Sequence, residues 1–240
     1  SDQMYRKTVW RALDLREKQN KPFFSNGREL SRIIMDAVKQ GKLTPYTSDS
    51  VNRPMALDVF DSKCMIPGQD MEEDDGFEDD AWGDAGDDGW GDDVEEEVEV
   101  SPYYLENTLY VYELKEDMIF DKQRSRMFYD IQSIGMFVPA DNADNVKGIQ
   151  EAIGYFRYVD LLEVFKEDPR AFWYNPQNDA SHRNLADAFD LRLFSSYIIR
   201  VSNPDDSYLV DIYGTPEKGI VASYKTMYEL LEYEHNLWEF

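Results

Sequence analysis

The chain is poor in the residues that build disulfides and zinc sites. Its 240 residues include one cysteine, Cys64, and two histidines, His182 and His235. An intrachain disulfide is therefore impossible, and the Cys/His ligand sets of structural zinc sites cannot be assembled. No run of 18 apolar residues is present, so we expect no insertion into a membrane. No signal peptide is recognisable, and Ser1 at the start indicates a processed or trimmed chain, which leaves an exported origin open.

Basic residues are also scarce. The chain has 25 Lys and Arg against 49 Asp and Glu, a net charge of −24. Nucleic-acid binding as the main function is excluded on this ground, because phosphate contacts need a basic surface. The acidic residues are concentrated between Asp70 and Glu99, where 17 of 30 residues are acidic and none is basic. Like charges at this density repel one another, which is typical of a solvated and disordered segment.

This acidic tract divides the chain in the sequence-based prediction. We expect an N-terminal helical segment and loop at 1–68, a disordered acidic insert at 69–100, and a β-rich domain with a C-terminal helix at 101–240. Two aromatic residues of the tract, Trp82 and Trp90, are unusual for a pure linker, and docking of the tract onto a basic groove is the alternative to a solvated linker.

Motifs for catalysis or cofactor binding are missing. The sequence has no phosphate-binding loop, no GxSxG elbow and no HExxH pair. A partial calcium-loop template begins at Asp84, but Gly86 stands where the third position needs an oxygen ligand. Cys64 has no neighbouring histidine that would activate it. We therefore predict no catalytic residue, no cofactor and no metal site.

The spacing of apolar residues predicts an α+β fold, with antiparallel strands and with helices at the N- and C-terminal ends. In the first part, a helix is expected over 5–13. A second is expected after Asn26, with Glu29 completing a capping box and Gly41 ending the helix. Residues 43–68 are expected to be mostly loop, with a short strand at Met55–Phe60.

In the second part of the chain, apolar and polar residues alternate along several segments, which is the pattern of β-strands. Strands are expected at Thr108–Leu114, along 127–138 with a bulge near Gln132-Ser133, and at Tyr155–Leu161. Further expectations are short helices at Leu161–Glu167 and Leu185–Arg192, strands at Ser195–Ser202, Ser207–Tyr213 and Ile220–Tyr224, and an amphipathic C-terminal segment that includes Met227, Leu230, Leu231, Leu237 and Trp238.

Several long motifs resemble the gliding-motility N family (GldN, also called PorN), and they occur in order over most of residues 5–46 and 106–240. The acidic tract has no counterpart in this resemblance. The motifs are Trp10-Arg-Ala-Leu-Asp-Leu-Arg-Glu-Lys-Gln-Asn, Gly27-Arg-Glu-Leu, Ile33-Ile-Met-Asp-Ala-Val, Leu114-Lys-Glu-Asp, Phe120-Asp-Lys-Gln-Arg-Ser, Asn175-Pro-Gln-Asn-Asp-Ala, Phe194-Ser-Ser-Tyr-Ile-Ile, Ser202-Asn and Glu234-His-Asn-Leu-Trp-Glu.

The resemblance implies a non-enzymatic structural component of the type IX secretion and gliding machinery of Bacteroidetes. It implies a periplasmic protein that forms a ring of many copies with an outer-membrane lipoprotein (GldK/PorK type) and that contacts the periplasmic part of the motor component (GldM/PorM type). Association with the outer membrane would then come through the lipoprotein partner. The family offers no catalytic residues to carry over.

Aromatic side chains are the candidate contacts with a partner, because aromatic residues are favoured interface anchors. The candidates are Trp10, Phe23, Phe24, Trp82 and Trp90. For the first three, a place in the protein core is the alternative. Two other functions stay open at this point: an acidic module that binds calcium weakly or a basic partner, and an enzyme whose site consists only of carboxylates and tyrosines, for instance a glycosidase with two acids.

Overall fold

The computed structural model describes residues 3–68, 102–121 and 126–238. Within these ranges it contains a five-stranded antiparallel sheet, a two-stranded ribbon and six α-helices, so the α+β prediction is confirmed. The strands are β1 (Gln3–Asp14), β2 (Val111–Asp121), β3 (Arg126–Val138), β4 (Glu151–Arg157), β5 (Phe172–Trp173), β6 (Arg183–Asn184) and β7 (Tyr197–Val201). The helices are α1 (Leu30–Lys39), α2 (Leu57–Cys64), α3 (Tyr158–Glu167), α4 (Leu185–Asp190), α5 (Leu209–Tyr213) and α6 (Pro216–Trp238).

The N-terminal segment forms a strand inside the sheet. The strand order is β4-β3-β2-β1-β7, with β1 between β2 and β7. The predicted helix at 5–13 is therefore wrong. Val9 and Leu13 are buried on one face of the sheet and Trp10 on the other. Because both faces are covered, apolar residues do not alternate along β1, and their spacing matches a helical repeat by coincidence.

The helix predicted after Asn26 is confirmed as α1, but its N-terminus differs from the capping-box prediction. The residue that precedes the helix is Glu29, and no side chain caps the first turn. The Glu29 carboxylate instead accepts a hydrogen bond of 2.9 Å from the Gly27 amide. At the other end Gly41 has a φ of +70°, so it takes the left-handed conformation that was expected.

The bulge predicted from the slip in sequence parity is confirmed in the β2–β3 pair. Lys115 faces Ser133 and the next residue, Glu116, faces Ile131, so Gln132 is the extra residue. The strand that was predicted at Thr108–Leu114 begins at Val111 and continues to Asp121. The connection between β2 and β3 lies outside the described residues.

Three predicted strands are helices in the structure. The segment Met55–Phe60 contributes to α2, Ser207–Tyr213 to α5 and Ile220–Tyr224 to α6. Their β-branched and aromatic residues favour strands locally, but packing overrides this preference. A Cβ atom at Gly219 would lie 2.7 Å from the Val210 side chain, so α5 and α6 approach closely at this glycine. The predicted C-terminal amphipathic helix is confirmed within α6.

The chain on either side of the acidic tract is held together. The Ile66 amide donates to the Pro102 carbonyl at 2.8 Å, and the Tyr104 amide donates to the Cys64 carbonyl at 2.9 Å. The described residues that precede and follow the tract therefore lie side by side. Residues 69–101 lie outside the described residues, and the predicted disorder of 69–100 stays a prediction. The strands β1 and β2, which pair with each other, come from opposite sides of the tract.

One face of the sheet carries two hydrophobic clusters. The larger contains Leu13, Tyr112 and Leu114 with residues of α1, α3 and α4. The smaller contains Val9 and Met118 with residues of β7, α5 and α6. Between them on β2 lies Glu116, which is fully buried. Its carboxylate pairs with Arg11 of β1 and accepts hydrogen bonds of 2.6 and 3.2 Å from Arg192, which follows α4.

Deletion of residues 70–99 is expected to leave the fold intact, because Gly68 and Pro102 are already brought together by the hydrogen bonds beside them. We expect a change in melting temperature of less than about 3 °C. Circular dichroism melts of the deletion variant and of the parent protein make the measurement. A loss of the cooperative transition would contradict the prediction and would show that the tract contributes to the core.

Replacement of Glu116 by Gln is expected to lower the free energy of unfolding by about 3 kcal/mol, because it leaves the buried Arg11 guanidinium and the half-buried Arg192 guanidinium without a negative partner. Urea unfolding at pH 7 measures this difference. The matched control is Asp130→Asn, which removes the same charge from an exposed position on β3 and should cost less than about 0.5 kcal/mol. Equal losses in the two variants would contradict the structural role of Glu116.

Candidate partner interface

The C-terminal helix α6 has apolar residues on two sides. On its inner side Ala222 and Leu230 pack against Val9 and Met118 of the sheet. A second row of apolar residues lies on its outer side at spacings of three and four, which places them on one face of a helix. This outer stripe has exposed fractions between 37% and 68%. The outer stripe consists of Ile220, Val221, Tyr224, Met227, Tyr228 and Leu231, of which Met227 and Leu231 lie at its edge and also line a small cleft against the sheet.

The neighbouring helix α5 extends the exposed apolar surface. Val210, Ile212 and Tyr213 of α5 are all exposed, each by 40% or more. Charged residues lie beside the outer stripe, and Lys225 pairs with Glu229 at 3.7 Å along the helix. A run of exposed large apolar residues with charges at its edge is typical of a protein–protein interface. The arrangement can bind a partner by burial of its tyrosines and aliphatic side chains.

Sequence reasoning identified α6 as amphipathic but did not identify its outer stripe. It placed Met227, Leu230 and Leu231 on one side. In the structure Leu230 is buried, whereas Met227 and Leu231 are partly exposed. The signal for the stripe is the recurrence of Ile220 and Tyr224 in helical register with Leu231, but the same segment also has the composition of a turn followed by a strand.

The sequence-predicted interface residues lie apart from the outer stripe. Trp10 is buried, and its indole N–H donates to Asp49 at 2.7 Å. Phe23 is also buried and contacts the rings of Phe189 and Phe194 in the larger cluster, and Phe24 is half-buried against the same cluster. Contact of these three with a partner stays a prediction. The other two candidates, Trp82 and Trp90, lie outside the described residues.

A polar cluster occupies the face of the sheet opposite to α6. Asp49, in the loop 44–56, is its centre. It accepts from Trp10 and, at 3.1 Å, from Arg200 of β7, and it lies 3.4 Å from Lys115 of β2. The Arg200 guanidinium stacks 3.7 Å above the Trp10 ring. These contacts fix the loop 44–56 to three adjacent strands.

Two carboxyl groups of this cluster have opposite pKa shifts. Burial raises the pKa of Glu113 to about 7, although Arg200 and Lys115 act in the other direction. Burial also acts to raise the pKa of Asp49, but the hydrogen bond from Trp10 and the charges of Lys115 and Arg200 outweigh it, so that pKa is lowered. Such a pair is what a two-carboxylate glycosidase would need. Neither residue, however, lines the clefts of about 420 and 570 Å³ on the surface.

The cysteine and the histidine considered for catalysis make contacts that are typical of a structural role. Cys64 is buried, and burial raises the pKa of its thiol to about 12. His182 stacks on Tyr174 and accepts a hydrogen bond from the Asn175 amide.

Among the described residues, no three His, Cys, Asp or Glu side chains are grouped so that they could hold a metal ion. The partial calcium template at 84–95 lies outside those residues. In the described part of the chain, no helix is long and apolar enough to cross a membrane.

Glu113→Gln is expected to stabilise the protein at alkaline pH. The pKa of Glu113 is about 7 in the folded protein against 4.5 for the free side chain, so the folded state binds more protons between these values. Stability should therefore fall as the pH rises from about 4.5 to about 7. Removal of the charge should raise the free energy of unfolding by about 1–3 kcal/mol at pH 8 and by much less at pH 5. Urea unfolding at the two pH values measures this.

The control for that experiment is Asp49→Asn in the same cluster. Because the pKa of Asp49 is lowered in the folded protein, its ionised form contributes stability that is present above the ordinary carboxyl pKa and is lost as the pH falls through the folded pKa. The Asn variant should therefore be less stable at both pH 5 and pH 8. A Glu113→Gln variant with no gain at pH 8 would contradict the prediction for the raised pKa.

Comparison with known proteins gives one family. A family model described as "Gliding motility associated protein GldN" matches residues 1–239. A search of curated proteins finds no match to the chain. The family match covers β1, the acidic tract and the helix α6 with its outer stripe.

Proposed function

Because the chain belongs to the GldN family of gliding-motility proteins, a component of the gliding and type IX secretion machinery, we propose that it acts there as a non-enzymatic structural subunit. In this proposal it works in the periplasm as one of many copies in a ring. The ring contains an outer-membrane lipoprotein partner, and it contacts the periplasmic part of the motor component. The sequence resemblance and the family match support this assignment.

The outer stripe of α6 is the observation that carries the proposal. Apolar residues on one side of a surface helix are explained by the sheet beneath it, but apolar residues on the other side need a second surface to cover them. Tyr224 and Tyr228 are suitable anchors, because tyrosine buries a large area while its hydroxyl remains able to make a hydrogen bond. We therefore assign the lipoprotein contact to the outer stripe.

A catalytic role for the Asp49 cluster is less well supported than a structural one. Asp49 accepts from Trp10 and Arg200 and is paired with Lys115, so its lone pairs are engaged by the protein itself. Ser133 donates to the Asp49 carbonyl at 2.8 Å and holds the same loop from below. This arrangement matches a loop anchor, and we assign the cluster no part in a reaction.

The test of the proposal is a pair of charge-matched variants. The double variant Tyr224→Asp and Tyr228→Asp places two negative charges within the outer stripe. It is expected to weaken binding to the purified lipoprotein at least about tenfold, because it puts charges into an apolar interface. The control variant Thr215→Asp and Asn236→Asp adds the same charge at exposed positions outside the stripe. Binding curves, particle size by mass photometry and a thermal melt are measured for each variant.

Equal binding by the two double variants would contradict the role of the outer stripe. Absence of binding to the lipoprotein and to the motor fragment by the unmodified protein would contradict the proposed function as a whole. The deletion of residues 70–99 is measured in the same assay at low and high salt. Contacts made by an acidic tract are screened by salt, so a loss of affinity confined to low salt would assign the tract, with Trp82 and Trp90, to docking.

A further inference from the structure

The first half of β1 has an open edge. The strand β7 pairs with β1 only from Val9 to Ala12. The last contact is a hydrogen bond of 2.9 Å from the Ser202 amide to the Thr8 carbonyl, after which the chain turns away from the sheet. Within the described ranges, no strand pairs with Gln3–Lys7 on this side. Five residues of strand, about 17 Å, therefore have a partner on one side only.

The open edge presents backbone hydrogen-bonding groups. In an antiparallel pair, the amide and carbonyl of one residue point to the same side, and successive residues alternate between sides. The Thr8 carbonyl points toward β7, so the amide and carbonyl of Arg6 point toward the open edge. An edge of this kind is matched by another extended strand. A helix would not match it, because a helix satisfies its backbone groups internally.

A cleft lies beside the open edge, between β1 and α6. Its volume is about 420 Å³, within the range of sites that hold a ligand side chain. The side chains of Tyr5 and Val201 form its sheet side, and the ring of Tyr5 lies 4.5 Å from that of Tyr233 on α6. Its lining includes Tyr5, Lys7, Val201, Leu230, Tyr233 and Glu229, the last of which is paired with Lys225 at 3.7 Å. Alternate side chains of a strand added at the edge would point into this cleft.

The charge of the edge indicates the chemistry of the added strand. The residues Gln3–Thr8 include no acidic residue and two basic ones, Arg6, which is paired with Asp117 of β2, and Lys7. Lys7 lines the cleft and makes no ion pair with another described residue. A second copy of β1 added at this edge would bring like charges together, which is unfavourable across a strand pair. A segment with an acidic residue that faces the cleft would complement Lys7.

We propose that an extended segment of a partner protein, with acidic residues and a large apolar residue, adds as a strand beside Gln3–Lys7. It continues the line of β7, places its apolar side chain in the cleft and pairs an acidic side chain with Lys7. This surface is distinct from the outer stripe, since it lies on the inner side of α6. The proposal therefore stands independently of the function assigned to the stripe.

The probe for this site is a fluorescein-labelled heptapeptide in which every second residue is phenylalanine or glutamate in turn, with threonine between them, so that the apolar and the acidic side chains share the face that points into the cleft. Two further peptides carry N-methyl groups, one on each alternate set of amides. Only one set faces the protein in an added strand, so one methylated peptide should lose at least about tenfold in affinity while the other binds normally. Fluorescence anisotropy with the full-length protein makes the measurement.

The protein variants test the edge and the cleft separately. Arg6→Pro removes the amide donor of the open edge and leaves the pairing with β2, and proline is tolerated where the N–H side of a strand is open. Its control is Arg6→Ala, which also removes the ion pair between Arg6 and Asp117 but keeps the amide. Thr226→Phe fills the cleft from α6. The Pro and Phe variants should bind the peptide at least about tenfold more weakly, and the Ala variant within about threefold of the parent.

A thermal melt of each variant verifies that it is folded. Three results would overturn the proposal: no saturable binding of the unmodified peptide, equal binding of both methylated peptides, or undiminished binding by folded Arg6→Pro and Thr226→Phe variants. A tenfold gain in affinity on deletion of residues 70–99 would identify the acidic tract of the chain itself as the occupant and would overturn the assignment to a partner. Loss of lipoprotein binding by the stripe variants has no bearing on these outcomes.

Discussion

The buried Glu116 carboxylate is the constraint on which the two halves of the fold depend. A fully buried charge is tolerated only when its partners reach it, and here they come from β1 (Arg11) and from the segment after α4 (Arg192). Both must therefore be in place before the sheet is complete. Arg192 lies shortly before β7 in the chain, so its ion pair also holds the segment that leads into β7. The ion cluster thus joins the larger hydrophobic cluster to the smaller one.

The sequence predicted the elements in which one local pattern dominates. The helical spacing of its apolar residues predicts α1, and a one-residue shift in the alternation of apolar residues predicts the bulge at Gln132. Both features are visible within a few consecutive residues of the sequence. The strand β1 was not recognised, since Val9 and Trp10 are covered on opposite faces. What covers Trp10 is Arg200, which is 190 residues away in the chain. The burial of Trp10 therefore depends on a tertiary contact, which the residues near Trp10 in the sequence do not indicate.

The helix α6 shows the same limit for the candidate interface. Its segment 220–224 contains β-branched and aromatic residues that favour a strand, and only the packing of Ala222 and Leu230 against the sheet selects the helix. Once the inner side is known, the outer stripe follows, because Tyr224 and Tyr228 have no surface within the described chain to cover them. The sequence could identify the family through its motifs, but it could not say which side of this helix remains exposed.

The sheet is closed at one edge and open at the other. At the β4 edge, Tyr46 exchanges two backbone hydrogen bonds with Tyr155, and Lys63 donates to the Ala152 carbonyl. The face of the sheet opposite to α6 is covered by the loop 44–56, which contains Asp49. At the other edge, β7 is too short to cover Gln3–Lys7, and α6 lies over this region with apolar residues on both of its sides. Unpaired backbone and uncovered apolar surface therefore occur together at the β7–α6 end of the molecule. Because an edge strand invites pairing and an apolar stripe invites burial, this end is where contacts with other proteins are favoured physically.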